Sequence, residues 1–344
     1  MAGEPINVWD YEQLAEERMS EHARAYYFGG AGDEWTLREN VAAFSRWTLR
    51  PRYLVDVGSV TTATTVLGEE ISMPLLLAPT AMQRFAHDEA EAATARAAAA
   101  AGTIMCLSSV TTVPPSAVAA AAPSGRRWFQ VYVFEDRGLT RALIDEAVAA
   151  GYSALVLTVD LPLLGRRERD LRVQFEIPAE WEVPSLGGID ATLTWRDLEW
   201  LAGYGLPIVV KGLMTGEDAA LACESGAAAV VVSNHGGRQL DGVAAALDAL
   251  PEVADAVGDR CEIYVDGGVR RGIDVVKALA LGARATLFGR PFLCALAVDG
   301  AQGVTHLLAL MQEEIRLALG LVGCASPADV SRSHVQSARP AASP

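Results

Sequence analysis

Positive charge is in short supply: 28 Lys and Arg stand against 43 Asp and Glu, a formal net charge of −15. Without a basic footprint the chain has nothing to hold a phosphate backbone, which excludes nucleic acid as a partner. Cysteine is sparse as well. Cys106, Cys223, Cys261, Cys294 and Cys324 are odd in number, far apart and mostly set in apolar runs, so they read as reduced core thiols and as neither a disulfide framework nor a CxxC metal site. There is no HExxH and no cluster of carboxylates, and no metal is expected. No stretch approaches the ~18 apolar residues of a membrane span without turn signals, and the amino terminus lacks a basic region followed by an apolar one. The expectation is a soluble cytoplasmic protein with no membrane partner.

Apolar sequence is abundant, 51% of 344 residues, enough for one large core. Near the start, Asp10 followed by Gln13 suggests a capping box. The helix it opens runs through Leu14, Met19 and Ala23 to Gly29-Gly30, with Tyr26 and Tyr27 near its end. A second helix is expected from after Asp33 through Phe44. From Pro74 onward, short apolar runs alternate with alanine-rich helical segments. The runs are Leu75 to Ala78, Thr103 to Leu107, Trp128 to Val133, Ala154 to Thr158, Pro207 to Val210, Ala228 to Val232, Glu262 to Val265 and Ala285 to Phe288, eight in all. Helices are expected at Asp88 to Ala101, Ser116 to Ala122, Leu139 to Ala150, Thr194 to Ala202, Gly216 to Ser225, Ala244 to Val257, Arg271 to Leu281 and after Arg290.

Strands alternating with helices imply parallel βαβ units, and eight such units close into a (β/α)8 TIM barrel of α/β class. A doubly wound sheet is the rival, but it needs a glycine-rich dinucleotide turn after its first strand, where this chain has Pro79-Thr80-Ala81-Met82-Gln83. Residues 1–73 are then an N-terminal helical and hairpin extension, 74–328 the barrel, and 329–344 a tail of disordered composition. One connection is out of proportion. Leu161 to Ala191, after the fourth strand, is about thirty residues long where two to six are usual, and with Pro178, Pro184 and Gly187-Gly188 it reads as a lid or mobile loop.

In such a barrel the chemistry lies at the carboxyl ends of the strands. The sixth run opens VVVSNHGGRQLDG, Val230 to Gly242, in which His235 and Arg238 sit three apart across two glycines. A base and a fixed cation can approach one small anion there, although an Asn-His-Gly-Gly turn alone could be mere punctuation. Other ends offer Ser108-Ser109, Gln130 and Tyr132 on one face, and Thr158-Val159-Asp160. Lys211 ends an apolar Pro-Ile-Val-Val run, where burial is costly unless an anion or an electron-rich ring lies beside it. The seventh and eighth ends, Asp266-Gly267-Gly268-Val269-Arg270 and Gly289-Arg290, occupy the usual phosphate position of this barrel.

Taken together, SNHGGRQLDG, DGGVRRGIDVVKALALGA, FGRP, LPIVVKG, PTAMQ, LTVDLPLLGRRERD and YYFGGAGDEWTLREN resemble the FMN-dependent 2-hydroxy acid oxidases and dehydrogenases, the group of glycolate oxidase, lactate oxidase and mandelate dehydrogenase. The resemblance runs from about Tyr11 to Ala328. It implies that His235 takes a proton from the substrate while a hydride, or its electrons by a carbanion route, reaches the flavin. It further implies that Asp160 stabilises protonated His235, that Arg167, Arg238 and Tyr26 hold the substrate carboxylate, and that Tyr132 lies near the substrate hydroxyl. Lys211 would offset charge on the reduced flavin. FMN would be contacted by backbone at Thr80 and Ala81, by Ser108, Gln130, Thr158 and Lys211 around the ring, by Asp266 at the ribityl chain, and by Gly268, Arg270, Gly289 and Arg290 at the phosphate, with Ser233 supporting the site.

Departures from the pattern fall on the pocket. Val110 stands where glycolate oxidases usually carry Trp, Leu161 and Leu163 replace more polar residues of some relatives, and Phe28 replaces a small one. A substrate larger than glycolate, medium-chain or aromatic, is expected, with O2 as acceptor and H2O2 as product. The loop after Asp160 lacks the membrane-binding segment of mandelate dehydrogenase. Resemblance also implies a homotetramer. Alternatives are a dehydrogenase passing electrons to a quinone or other carrier, a non-redox FMN barrel isomerase or lyase, which would leave His235, Arg238 and Arg167 without a reason, and a non-catalytic flavin binder.

Overall fold

The chain begins with three helices, α1 (Val8–Arg18), α2 (Glu21–Phe28) and α3 (Trp35–Ala42), in a computed structural model that describes residues 4–181, 183–185 and 188–338. The first helix starts earlier than the Asp10–Gln13 pair suggested: Asn7 is its cap, with Oδ1 accepting the Asp10 N–H at 3.1 Å. It also does not continue to Gly29. Met19 is extended and Ser20 caps a new helix through the Ala23 N–H, because a hydroxyl there competes for the backbone. A short strand β1 (Trp47–Leu49) follows, then an antiparallel hairpin β2 (Thr64–Val66) and β3 (Glu69–Ile71).

Eight parallel strands then close a barrel: β4 (Leu75–Leu77), β5 (Ile104–Leu107), β6 (Arg126–Val131), β7 (Leu155–Thr158), β8 (Ile208–Leu213), β9 (Ala229–Val232), β10 (Glu262–Asp266) and β11 (Ala285–Phe288), with β11 pairing back to β4. Each strand is buried on both faces, which is why it reads as an unbroken apolar run. The period of two survives inside the runs. Leu76, Ile104, Cys106, Trp128, Val156, Val209, Val231, Tyr264 and Leu287 fill the lumen, and their neighbours Leu75, Leu77, Met105, Phe129, Leu155, Val210, Val230 and Val265 face the helices. The helices are α4 (Ala90–Ala101), α5 (Pro115–Ala121), α6 (Arg137–Ala149), α7 (Glu168–Arg172), α8 (Asp197–Ala202), α9 (Gly216–Glu224), α10 (Ala246–Val257), α11 (Gly272–Ala280) and α12 (Arg290–Val322).

The last of these is 33 residues long and broken at Asp299–Gly300; by length and composition it could cross a membrane, but half of its most apolar window is buried against the fold, where it meets α4, α1 and α11.

Two further expectations change. The segment 329–338 is ordered: β12 (Val335–Ser337) pairs antiparallel with β1, because the extension offers an otherwise open strand edge; residues 339–344 lie outside the described residues. Cys223 and Cys261 are joined as a disulfide between the end of α9 and the start of β10, with Cα atoms 6.2 Å apart. Only Cys106, Cys294 and Cys324 are free, and all three are buried. Adjacent strand and helix ends brought the two residues together across 38 positions, which their spacing could not show. Finally, the long loop after β7 carries α7 and a bridge between Ile189 and Phe134, and its Phe175 stacks on Tyr26 at 4.8 Å while Trp181 meets Phe85 at 4.5 Å. Gly187 lies outside the described residues.

Candidate active site

The carboxyl ends of the strands surround a cavity of roughly 960 Å³, measured out to open solvent, and α2 covers one side of it with Tyr26 and Tyr27. In β8 the register slips between Lys211 and Leu213. Such a bulge re-aims a side chain next to a site, and here Gly212, at φ +111°, lies close under Asp160, where a Cβ would come within 2.7 Å of that side chain. Lys211 turns into the barrel mouth. Its Nζ donates to Ser233 Oγ at 3.0 Å and lies 3.2 Å from Asp266 Oδ2. Burial opposes its charge, but Asp266 and Asp160 outweigh burial and hold its pKa above the ordinary lysine value.

The loop after β9 is a chain of left-handed residues: His235 at φ +57°, Gly236 at +64° and Gly237 at +75°. A Cβ on Gly237 would fall 2.5 Å from the Leu37 N of α3, so glycine is required there. The bend presents His235 to the cavity with Nδ1 2.8 Å from Asp160 Oδ1 and Nε2 3.5 Å from the Tyr132 hydroxyl. Burial depresses the His235 pKa, and Asp160 restores it only in part. Burial pushes Asp160 up, but His235 and Lys211 bring it below the usual carboxylate range. The resting pair is therefore carboxylate and neutral imidazole, which can accept a proton. The sign follows: activity is lost as pH falls and His235 protonates, and the depressed pKa moves that loss downward. The acid limb of kcat/KM should therefore lie below pH ~6.5; a limb above that value would contradict the assignment.

Two guanidiniums complete this side. Arg238 donates to the carbonyls of Tyr26 and Gly29, with its Cζ 4.7 Å over the Tyr26 ring. Arg167 reaches the Arg238 carbonyl and Gln239 Oε1, both at 3.4 Å. Burial, and then repulsion by Arg167, lowers the Arg238 pKa to about 10. Two buried cations side by side are costly unless an anion joins them.

Gly267 and Gly268, at φ +88° and +86°, together with Gly289 and the amino end of α12, form a cradle in the same mouth. Arg290 donates to the carbonyls of Tyr27, Gly236 and Gly29 at 2.8–3.1 Å, and burial lowers its pKa to about 9. Arg270 sits 2.7 Å from Glu12 Oε1, off the hydrogen-bond direction, with Trp9 beside it. Gln130 Nε2, Thr158 Oγ1 and Asp266 Oδ1 are buried without a hydrogen-bond partner, which is costly unless a ligand meets them. Orphaned donors and acceptors beside a lysine, next to a glycine cradle, fit a planar, polar-edged, phosphorylated cofactor.

Most of the residues singled out in the sequence converge here. Tyr26, Thr80, Ala81, Ser108, Tyr132, Arg167, Lys211, His235, Arg238, Asp266, Gly268, Arg270, Gly289 and Arg290 all line the cavity. Leu161 lines it too, whereas Leu163 is exposed. Val110 does not belong to the wall: it is fully buried behind it, its N–H bonded to Ser108 Oγ. Ser233 is likewise buried and acts on Lys211. Sequence reasoning missed Glu12, Asn40 and Asn234. For Glu12 and Asn40 the detectable signal was a polar residue on the inward stripe of a helix, which must find a partner; Asn234, on the loop after β9, carried no such periodic signal.

A barrel whose mouth combines this cradle with an aspartate-oriented histidine and paired arginines defines a flavin-dependent oxidoreductase of small acids. Residues 15–337 match the family described as FMN-dependent dehydrogenase. The chain is 50% identical to L-lactate oxidase of Nostoc sp. over 96% of its length and 97% of that protein. It is 49% identical to glycolate oxidase 3 of Oryza sativa subsp. indica, over 96% and 95%. Among solved structures, mandelate oxidase with benzoyl-formic acid superposes with a TM-score of 0.92 at 40% identity, covering 97% of this chain and 99% of that one. The chain belongs to the FMN-dependent dehydrogenase family, in the group that contains the FMN-dependent 2-hydroxy acid oxidases.

Proposed function

We propose that the protein oxidises an L-2-hydroxy acid with an apolar side chain, larger than glycolate, and returns the electrons to O2 with release of H2O2. The observation that carries this reading is the neutral, Asp160-oriented His235 facing a cavity it shares with Arg167 and Arg238. The arginines bind the carboxylate, with Tyr26 beside it. Tyr132, whose pKa burial raises far above the ordinary phenol value, stays a hydrogen-bond donor at every working pH and orients the hydroxyl. His235 takes the proton, and Asp160 stabilises the imidazolium that results. When bound, FMN would supply the two-electron acceptor that this oxidation needs. Thr80, Ala81, Ser108, Gln130, Thr158 and Asp266 would hold its ring and chain, and Gly268, Arg270, Gly289 and Arg290 its phosphate. Lys211 would supply a fixed cation to offset the negative charge that reduction adds.

Leu161 on the wall supports an apolar substrate side chain, with Val110 shaping that wall from behind. So do the relatives named for L-lactate and mandelate. The test is a panel of glycolate, L-lactate, longer aliphatic 2-hydroxy acids and (S)-mandelate, scored by anaerobic bleaching of the flavin and then by its return on admitting air. Glycolate giving the highest kcat/KM would remove the size assignment; slow return in air with fast return on adding a quinone would replace oxidase by dehydrogenase.

Exposed Tyr53, Leu54 and Val55, together with exposed Leu317 and Leu321 of α12, support assembly with further copies of this chain. A monomeric mass in solution would remove that element of the proposal.

A further inference from the structure

Asn40 lies outside the barrel, on α3, yet it is buried. An amide at that depth must find partners for its donors and its acceptor, and this one finds them on the loop that carries His235. Its Nδ2 donates to Asn234 Oδ1 at 2.8 Å, and its Oδ1 accepts from Asn234 Nδ2, also at 2.8 Å. The same Oδ1 accepts the Ala246 N–H at 3.3 Å. Asn234 passes the connection on: its Oδ1 takes the Gly237 N–H at 3.0 Å and its Nδ2 reaches the Ala244 carbonyl at 3.1 Å. Between Asn234 and Gly237 lies His235, a residue with a Cβ held at φ +57°. Such a conformation persists where its surroundings over-determine it, and the amide pair pins the peptide immediately before it.

On its other side Asn40 packs on the loop after β10. A Cβ on Gly267 would lie 3.3 Å from the Asn40 amide carbon, and one on Gly268 would lie 1.9 Å from the Asn40 carbonyl oxygen. Both glycines follow Asp266, the partner of Lys211. A single residue of the extension therefore touches the loop of the proton acceptor and the loop of the cofactor cradle at once.

We infer that Asn40 is a positioning residue for His235: it fixes the imidazole relative to the Asp266–Gly268 loop, and so relative to the cofactor. The inference rests on His235 being the proton acceptor of the proposed reaction. If Asn40 merely fastened α3 to the barrel, its loss would lower stability and leave the chemical step alone. If it positions His235, the chemical step itself slows, because small displacements of a reacting group are costly to rate.

The experiment is anaerobic stopped-flow reduction of the FMN-loaded full chain by whichever 2-hydroxy acid bleaches the wild type fastest. Asn40→Ala should cut the limiting reduction rate about tenfold or more, change the substrate Kd less than about threefold, and retain full flavin absorbance. Asn234→Ala should lose a similar factor, and the double variant should lose little more, because the two amides act as one unit. A limiting rate within about twofold of wild type, whatever happens to the melting temperature, overturns the inference, and so does a defect confined to FMN affinity. Should Asn40→Ala fail to fold, Asn40→Ser is judged by the same readouts. A wild-type enzyme that no 2-hydroxy acid bleaches sinks the functional reading; a bleached wild type matched by its Asn40 variant sinks only this inference.

Discussion

Replacing His235 with alanine should slow anaerobic flavin reduction by the best 2-hydroxy acid about a thousandfold, within the ~10²–10⁴ that a positioned general base contributes. The flavin should stay bound, because the cradle residues and Lys211 do not bond the imidazole: His235 meets Asp160 through Nδ1 and the Tyr132 hydroxyl through Nε2. His235→Gln provides the control, since a glutamine amide can donate to Asp160 but cannot take a proton near neutral pH. If Gln and Ala lose rate alike, proton acceptance is the lost function. If Gln restores most of the rate, His235 serves to satisfy Asp160 and the assignment of the base is wrong.

Lys211→Met should be the most destabilising single change at the site, by about 3–5 kcal/mol, the usual result of removing one partner from a buried ion pair. Its partner Asp266 has 10% side-chain exposure, so the carboxylate cannot recover water, and Asp160 also loses a nearby cation. Denaturant unfolding of apoprotein gives the measurement. The double variant Lys211→Met/Asp266→Leu should regain most of that stability, because the uncompensated charge leaves with it, and should still bind FMN poorly. A single variant as stable as wild type would mean that water or a moved side chain already screens Asp266.

How much of this was legible beforehand depended on which forces were local. The eight strands were readable because parallel barrel strands are buried on both faces, so each appears as a short β-branched or apolar run. The site residues were readable because a barrel places its chemistry at strand ends, and Lys211, Asp160, His235 and Asp266 all stand at such ends. Long-range pairing was not readable. Nothing local tells that Cys223 faces Cys261, that Val335 lies beside Leu49, or that Asn40 meets Asn234. The misread start of α1 is of another kind: Asn7 and Asp10 are both competent caps, and Asn7 takes the role by accepting the Asp10 N–H while Asp10, in the first turn, accepts the Ile6 N–H.

The pairing of β1 with β12 joins residue 47 to residue 337, which sets an order of events during synthesis. Every barrel strand can be in place while the edge of β1, five residues beyond α3, still waits for residues 335–337 to emerge. The segment that follows Asn40 therefore gains its partner strand later in synthesis than any of the eight barrel strands.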